Sequence, residues 1–376
     1  MYPRAFRRTA LSLSAAAAIL IASVATPAHA RPDQSSTGAV SAAPAGSVAA
    51  VTDSLARQLA GLLDNAAIAE RVIPAVTAGP VDLAQLDLTA GFTRTVQTAN
   101  RSVLAAKGLP ATADSLLQLR LAHPDMRAAL ERGELPLVAA PPTDDDSTSV
   151  TAYDRNRTPV LLDAVRLPQR PVLVVEVDVA KAMPLGLQVV RDALAASGVR
   201  GARPADSGMV TAAGGYWATK ITAVRLADDK EPWVKGAAEI FSIVGGFGHD
   251  GKVAINIVDM PYLDHDNTTY YPNQILVHYS AYKYNLADVV MMEDDGDTNY
   301  QQLAQALVSA LLFIVDGGAY APLVSAILGA LPTSWWTDDP DYVDSWYTLS
   351  TSSSGRRYGA ANNGWMDVVP YWVQAF

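Results

Sequence analysis

The sequence predicts an α+β protein with a helical N-terminal region, a small mixed sheet and a C-terminal antiparallel β-sandwich followed by a helical hairpin. Three observations predict this class. Apolar residues recur at helical spacing early in the chain, short β-branched runs follow in the middle, and 24 of the 28 aromatic residues lie after residue 215. The 376 residues are half hydrophobic, which is enough to bury a sizeable core.

The first 30 residues have the pattern of a signal peptide. Three arginines precede an apolar stretch at residues 10–25, and the small-x-small sequence Ala28-His29-Ala30 follows. We therefore expect cleavage after Ala30 and a secreted protein, periplasmic or extracellular. Losing three arginines and no acid changes the net charge from −10 to −13. Residues 31–50 are rich in Ala, Ser, Gly and Pro, which predicts a flexible leader.

Two regions precede the aromatic part of the chain. Residues 51–135 are predicted to be helical, because Leu55, Leu59 and Leu62 begin a helical apolar pattern. Residues 136–213 combine short β-branched runs with one helical segment and are predicted to form a small α/β region. Glycines and a proline near residues 198–215 favour a domain boundary there.

Residues 214–376 are predicted to form the sandwich domain, with C-terminal helices and a Trp-rich tail. The predicted strands are 217–226, 236–245, 252–259, 274–282 and 288–293, and the predicted helices are 299–315 and 319–329. Each half of this helical hairpin is too short to cross a bilayer. A buried hairpin is therefore favoured over an interfacial membrane anchor, and we expect no membrane contact. The tail is expected to be irregular.

Composition excludes several classes of protein. The chain has no cysteine, which excludes disulfide scaffolds, thiolate metal sites and cysteine nucleophiles. Its net negative charge argues against nucleic acid as a partner, because nucleic-acid binding needs clustered positive charge.

Three loops between the predicted strands are strongly acidic. In an antiparallel sandwich the chain reverses at every turn, so the first, third and fifth loops emerge at one end. Carboxylates that converge there repel one another, and a divalent cation would neutralise them. We therefore predict a calcium site, because Ca²⁺ accepts six to eight oxygens in flexible geometry. The candidate ligands are Asp228, Asp229, Glu231, Asp259, Asp264, Asp266, Glu293, Asp295 and Asp297.

The arrangement resembles calcium-binding β-sandwich modules, and the resemblance covers about 80 residues. The helix–loop–helix calcium motif fails, because Thr269 and Tyr300 occupy the positions that require glycine. The alternative is that the aspartates only cap turns and keep the loops hydrated.

No catalytic motif is recognisable, so the sequence does not establish an enzyme. The run GFGHDGKV at residues 246–253 matches a glycine-rich phosphate loop, but without a following helix it is better interpreted as a hairpin turn. HExxH and GxSxG are both absent. His265, between two aspartates, is either a loop histidine or a general base. An extracellular hydrolase that uses the acidic loop end as a metal or acid/base site is the alternative function.

The candidate partners are a divalent cation and an extracellular glycan, peptide or protein. Tryptophans are concentrated near the C-terminus, and exposed indoles can stack on sugars. Burial of these indoles would instead indicate packing.

Three segments together resemble an uncharacterised family of secreted bacterial proteins, defined as a domain of unknown function. They lie at residues 153–175, at 220–240, which includes ADDKEPWVKGAAEI, and at 268–276, which reads TTYYPNQIL. The resemblance covers roughly residues 50–350. It implies bacterial export and a shared fold, and it implies no activity and no catalytic residue.

Overall fold

The computed structural model describes residues 47–142, 147–201, 214–228, 233–236, 238–294, 296–331 and 342–374. These residues belong to one compact unit. The fold is α+β, as predicted, with antiparallel sheets toward the C-terminus. The predicted signal peptide at 1–30, most of the predicted leader at 31–50 and the predicted boundary near residue 213 lie outside the described residues.

The helices and strands are named here in chain order. The helices are α1 Val48–Leu62, α2 Ala66–Ala78, α3 Ala90–Ala106, α4 Arg127–Glu131, α5 Val179–Ala196, α6 Tyr300–Leu311 and α7 Val324–Ala330. The strands are β1 Val81–Asp82, β2 Leu117–Leu121, β3 Leu137–Ala139, β4 Ser149–Tyr153, β5 Pro159–Asp163, β6 Val172–Val177, β7 Arg200–Gly201, β8 Gly215–Leu226, β9 Ile240–Phe247, β10 Val253–Asp259, β11 Gln274–His278, β12 Leu286–Glu293, β13 Tyr342–Ser350, β14 Gly355–Tyr358 and β15 Gly364–Gln374.

The first three helices begin at polar residues that cap them. Ser47, Asn65 and Thr89 each accept a hydrogen bond from a backbone amide two or three residues further along. Helix α1 therefore starts at Val48, slightly before the predicted end of the leader at residue 50. Its apolar stripe, including Leu55 and Leu59, is buried.

The first sheet is the predicted small mixed sheet, with strand order β1-β2-β6-β3-β4-β5. Strands β3 and β6 run parallel, and the other neighbours run antiparallel. Strands β1 and β2 come from the region that we predicted to be helical, 51–135. β2 has the sequence LQLRL, whose alternation has the period of a strand. The helical region and the small α/β region therefore share one sheet.

The C-terminal part forms the predicted sandwich. The five-stranded sheet has the order β13-β12-β9-β10-β7, and the four-stranded sheet has the order β11-β8-β15-β14. Neighbouring strands run antiparallel except for the short pair β7 and β10. Side chains from both sheets, including Ile221, Val244 and Met366, form the core between them. All five strands predicted between residues 217 and 293 are present, with ends that differ by a few residues.

The five-stranded sheet is buried on both faces. On the face away from the sandwich core, Phe241, Ile243 and Ile255 pack in a second core with helices α5, α6 and α7. Strand β9 is accordingly buried at all eight of its residues. This second core also includes residues of α1, α3 and the first sheet. The molecule therefore has three layers: the four-stranded sheet, the five-stranded sheet and a layer of helices. The core below the helices also includes residues of the first sheet.

The predicted helical hairpin is present as α6 and α7. Both helices contribute to the second core, through Leu307 and Ile327 among others, and α7 starts later than expected. Among the residues that the structure describes, no helix is both long and apolar enough to cross a membrane. The glycine-rich run at 246–253 is a turn between the antiparallel strands β9 and β10, as interpreted from the sequence.

Strands replace the irregular tail that we expected after the hairpin. β13 forms the edge of the five-stranded sheet, and β14 and β15 belong to the four-stranded sheet. β15 pairs with β8 over the whole length of both strands, from Gly364 opposite Leu226 to Gln374 opposite Gly215. Aromatic residues are well suited to strands, so the tryptophans that predicted a stacking surface or a packed tail are also compatible with strands.

Candidate functional site

The three acidic loops lie at one end of the sandwich, which we call the acidic end. Three backbone hydrogen bonds join them. The amide of Asn267 in the third loop donates to the Leu226 carbonyl at the end of β8, at 2.9 Å. The amide of Met260 donates to the Ile240 carbonyl at 2.9 Å, and the amide of Asp294 donates to the Glu239 carbonyl at 3.0 Å. The antiparallel order therefore brings the loops together as the strand sequence requires.

Several candidate acids of these loops lie at the surface. Asp228, Asp266 and Asp297 are exposed, and Asp264 is partly buried. The Asp264 carboxylate accepts a hydrogen bond from the Tyr270 hydroxyl at 2.7 Å. The side-chain amide of Asn363, from the loop before β15, donates to the Asp228 carbonyl at 2.8 Å. The tail thus joins the acidic end.

The other candidate acids lie deeper or are not described. Asp259, at the end of β10, is partly buried, and burial raises the pKa of its carboxyl. Glu293 is buried with only 1% of its surface exposed. Asp229, Glu231 and Asp295 lie outside the described residues. Within the part of the chain that the structure describes, no three His, Asp or Glu side chains lie close enough together to hold a metal ion.

A group of buried charges lies below the surface acids. Lys107, at the end of α3, and Asp294 are both fully buried. The Lys107 ammonium lies 3.9 Å from an Asp294 carboxylate oxygen, donates to the Gly296 carbonyl at 3.1 Å and lies 5.0 Å from the centre of the Tyr300 ring. The Tyr300 hydroxyl donates to the other Asp294 oxygen. We call Lys107, Glu239, Glu293, Asp294 and Tyr300 the buried charge cluster.

Glu239 has the most informative pKa in this cluster. Burial, and secondly the negative charge of Asp294, raise the pKa of its carboxyl from the ordinary 4.5 to about 8. Burial and Asp294 also raise the pKa of the Tyr300 hydroxyl well above its ordinary value. At neutral pH the Glu239 carboxyl is therefore mostly protonated.

An ion pair of the first sheet holds the first acidic loop. Arg120 of β2 makes a two-pronged contact with Glu176 of β6, at 2.6 and 2.8 Å. Burial raises the pKa of the Glu176 carboxyl, although Arg120 opposes this. Arg120 also donates to the Val234 carbonyl in the loop between β8 and β9, at 2.7 Å. This contact connects the first sheet with the acidic end.

Sequence reasoning missed Lys107, Glu176, Glu239 and Tyr300. Glu176 had a recognisable signal, because it is a lone charge inside the apolar strand VLVVEV, and a charge buried in this way usually has a partner. Lys107 lies among apolar residues of α3 and its C-terminal turn, which is a weaker signal of the same kind. The sequence around Tyr300 and around Glu239 contains no signal that identifies either residue as part of a buried charge cluster.

The tryptophans are divided between surface and core. Trp217 and Trp372 are 47% and 41% exposed, and their rings lie 5.3 Å apart, edge to face. Trp346 is buried, and Trp335 and Trp336 lie outside the described residues. His265 is exposed in the third loop.

These features define the molecule as a layered α+β protein whose C-terminal sandwich has an acidic end with buried charges below it. The chain belongs to the family described as protein of unknown function (DUF3103), whose model matches residues 47–375. This confirms the resemblance to a family defined as a domain of unknown function. No curated protein and no solved structure is detectably similar to the chain.

Proposed function

We propose that the protein is an exported bacterial binding module whose acidic end takes up Ca²⁺. Calcium orders the acidic loops, and the ordered end presents a surface to an extracellular ligand. The observation that carries the proposal is that the three acidic loops meet at one end of the sandwich and are joined there by backbone hydrogen bonds. Loops held in this way supply oxygen ligands to one end of the sandwich without a dedicated motif, and Ca²⁺ would have to draw them together, since no three acids of the described residues are already grouped for a metal.

Charge distribution supports this proposal. Residues 250–344 contain 14 acids and only two basic residues, Lys252 and Lys283, so most of the net charge of the protein is concentrated there. Some of these acids lie elsewhere, since Asp250 and Asp316 lie at the turn between β9 and β10. Bound Ca²⁺ would reduce the repulsion among the carboxylates of the three acidic loops. The acids of the three loops that lie outside the described residues, Asp229, Glu231 and Asp295, belong to the proposed ligand set.

Calcium binding is tested by titration calorimetry and by thermal melting in calcium or in EDTA. We expect a heat of binding and a higher Tm in calcium, because a ligand at about 100 times its Kd adds about 2.7 kcal/mol. Asp264→Asn/Asp266→Asn should weaken binding about tenfold through loss of carboxylate ligands.

The matched control is Asp125→Asn/Glu131→Gln, which removes two exposed acids far along the chain from the loops and should leave binding unchanged. Equal melting in calcium and EDTA, together with no heat of binding, would show that the acidic end is not a calcium site.

Export follows from the signal pattern at residues 1–30. The protein recovered from the periplasm or medium of a bacterial host should begin at Arg31 when its N-terminus is determined. An intact Met1 in the recovered protein would contradict this.

An extracellular hydrolase is the second candidate, and the Glu239 carboxyl favours it. A carboxyl with a pKa of about 8 is protonated at neutral pH and suits a general acid. Purified protein is assayed against ester, amide, glycoside and phosphate-ester substrates. Hydrolysis that Glu239→Gln abolishes and Glu131→Gln preserves would support an enzyme. Absence of any turnover would favour the binding module.

A further inference from the structure

A shallow pocket formed by the third acidic loop and the start of β11 is lined mainly by tyrosines. Tyr262, Tyr270 and Tyr271, together with two prolines and Gln274, enclose about 620 Å³. The Tyr262 and Tyr270 rings lie 6.1 Å apart and are inclined by 49° to each other. Tyr271 is 72% exposed. We call this depression the tyrosine pocket.

Two of the three hydroxyl groups in the tyrosine pocket already have partners. The Tyr270 hydroxyl donates to Asp264 at 2.7 Å, and the Tyr262 hydroxyl donates to the Gln274 side chain at 2.5 Å. The Gln274 amide in turn donates to the Asp259 carbonyl at 2.8 Å. These bonds fix both rings, so the pocket offers a ligand mainly the ring surfaces.

Among the described residues, five other aromatic rings have a lysine or arginine of the protein over their faces. Lys220 lies 4.7 Å from the centre of the Tyr371 ring, and Arg356 lies 3.5 Å from that of Trp365. Similar contacts occur at Tyr153, Tyr284 and Tyr300. Among the described residues, no lysine or arginine takes such a position over the three pocket tyrosines.

The surroundings of the pocket are negatively charged. Asp264 is bonded to one pocket ring, and Asp266 is exposed in the same loop. One Asp259 carboxylate oxygen is buried and has no hydrogen-bond partner among the described residues. Two arginines lie nearby. Arg225 donates to Asn267 at 2.6 Å, and the positive charge of Arg191 partly offsets the negative charge of Asp259.

We propose that the tyrosine pocket binds an organic cation, namely the side chain of a lysine or arginine in a basic peptide. The ring faces attract the ammonium or guanidinium group through their quadrupoles. The carboxylates nearby raise the local concentration of such a cation. Calcium requires oxygen ligands and would occupy the carboxylates of the acidic loops, whereas the organic cation would occupy the ring faces. The inference therefore goes beyond the proposed calcium site.

Binding is tested with single-residue probes in calcium and, separately, in EDTA. Nα-acetyl-lysine amide and Nα-acetyl-arginine amide are titrated by calorimetry or NMR against Nα-acetyl-norleucine amide, which has a similar shape and no charge. In EDTA we expect the two charged probes to bind at least about fivefold more tightly than the neutral one. In calcium the preference should be smaller but still present, because Ca²⁺ on Asp264 and Asp266 removes part of the local negative charge and leaves the rings unchanged. Equal binding of charged and neutral probes would overturn the proposal. Binding of tetramethylammonium but of neither amino-acid probe would overturn the assignment to a peptide.

Variants locate the site. Tyr271→Leu removes an exposed ring and should weaken binding of the charged probes about two- to fivefold. Tyr270→Phe keeps the ring and should bind within about twofold of the unchanged protein. Tyr358→Leu, at a 66% exposed position on β14, is the control. Unchanged binding in Tyr271→Leu and in a folded Tyr270→Leu variant would show that the rings are not the site.

Discussion

At the scale of single residues, the buried charge cluster shows how burial changes a carboxyl group. Glu239 is partly buried, whereas Lys107 and Asp294 are fully buried. Asp297, at the surface of the same end, is exposed. The cluster holds three acids, Glu239, Glu293 and Asp294, and one lysine. A proton on Glu239 reduces the repulsion among them.

This predicts a pH-dependent stability that Glu239→Gln removes. The folded protein keeps the Glu239 proton up to about pH 8, whereas an ordinary glutamate loses it near pH 4.5. Between these values the folded state binds more protons than the unfolded state. The free energy of unfolding therefore falls as pH rises, by at most about 1.4 kcal/mol per pH unit from this group.

Urea unfolding between about pH 5 and pH 8 measures this slope. Glu239→Gln should lose less stability over the range than the unchanged protein. Glu131→Gln, at an exposed position, should lose as much stability as the unchanged protein. Parallel pH profiles for all three proteins would contradict the assignment.

At the scale of elements, Asp344 of β13 fastens the turn between β14 and β15. Its carboxylate is fully buried. It accepts hydrogen bonds from the amides of Ala361, Asn363 and Gly364 at 2.8 to 3.0 Å, and from the amide of Ser345 at 2.8 Å. A side chain at Gly359 would collide with this carboxylate. One residue therefore joins the edge of the five-stranded sheet to a turn of the four-stranded sheet.

We expect Asp344→Asn to destabilise the protein by about 3 kcal/mol or more. An asparagine amide would present donors to backbone donors, and hydrogen bonds to a charged group are each worth about 1.5–3 kcal/mol. The control is Asp367→Asn, because Asp367 pairs with Arg356 at the surface and such pairs contribute little. Chemical denaturation measures both. A loss no larger than that of the control would show that the buried carboxylate does not hold the turn.

The sequence predicts the elements whose pattern is local. The strands from β8 to β12 were found because β-branched runs alternate with turn residues, and their antiparallel order then placed the acidic loops together. β2 was missed because its five residues lie within a helical context.

The buried charge cluster depends on contacts that no local pattern contains. Lys107 and Gly296 are 189 residues apart in the chain. The amide of Tyr300 donates to the Lys107 carbonyl at 3.0 Å, which places the start of α6 beside the end of α3. The pKa of Glu239 likewise depends on burial and on the charges of Asp294, Glu176 and Asp178, which come from other elements, so it could not be predicted from the sequence.

At the scale of the whole molecule, the second core joins two halves that depend on each other: the N-terminal half, with α1 to α5 and the first sheet, and the C-terminal half, with the sandwich and α6 and α7. The five-stranded sheet is covered on one face by the four-stranded sheet and on the other by helices, and the core of these helices continues to α1 and α3. Separating the halves would expose the buried face of β9, β10 and β12. This cost favours folding as one unit.

We therefore expect a single cooperative unfolding transition. All seven tryptophans lie at or after residue 217, and Trp233 contacts the first sheet. Their fluorescence therefore reports mainly on the sandwich region, while far-UV circular dichroism also reports on helices α1 to α3. Both signals should give the same midpoint in urea. Two separated midpoints would show that the halves unfold independently.

The position of β15 has a consequence for how the protein folds. β15 lies between β8 and β14 and pairs along the whole of β8, about 150 residues earlier in the chain. The four-stranded sheet therefore cannot close until residue 374 has left the ribosome. Pairing over so long a separation slows folding and leaves the apolar face of β8 uncovered in the meantime. Strand β8 therefore remains without this partner for a long interval, during which its apolar face needs protection from aggregation.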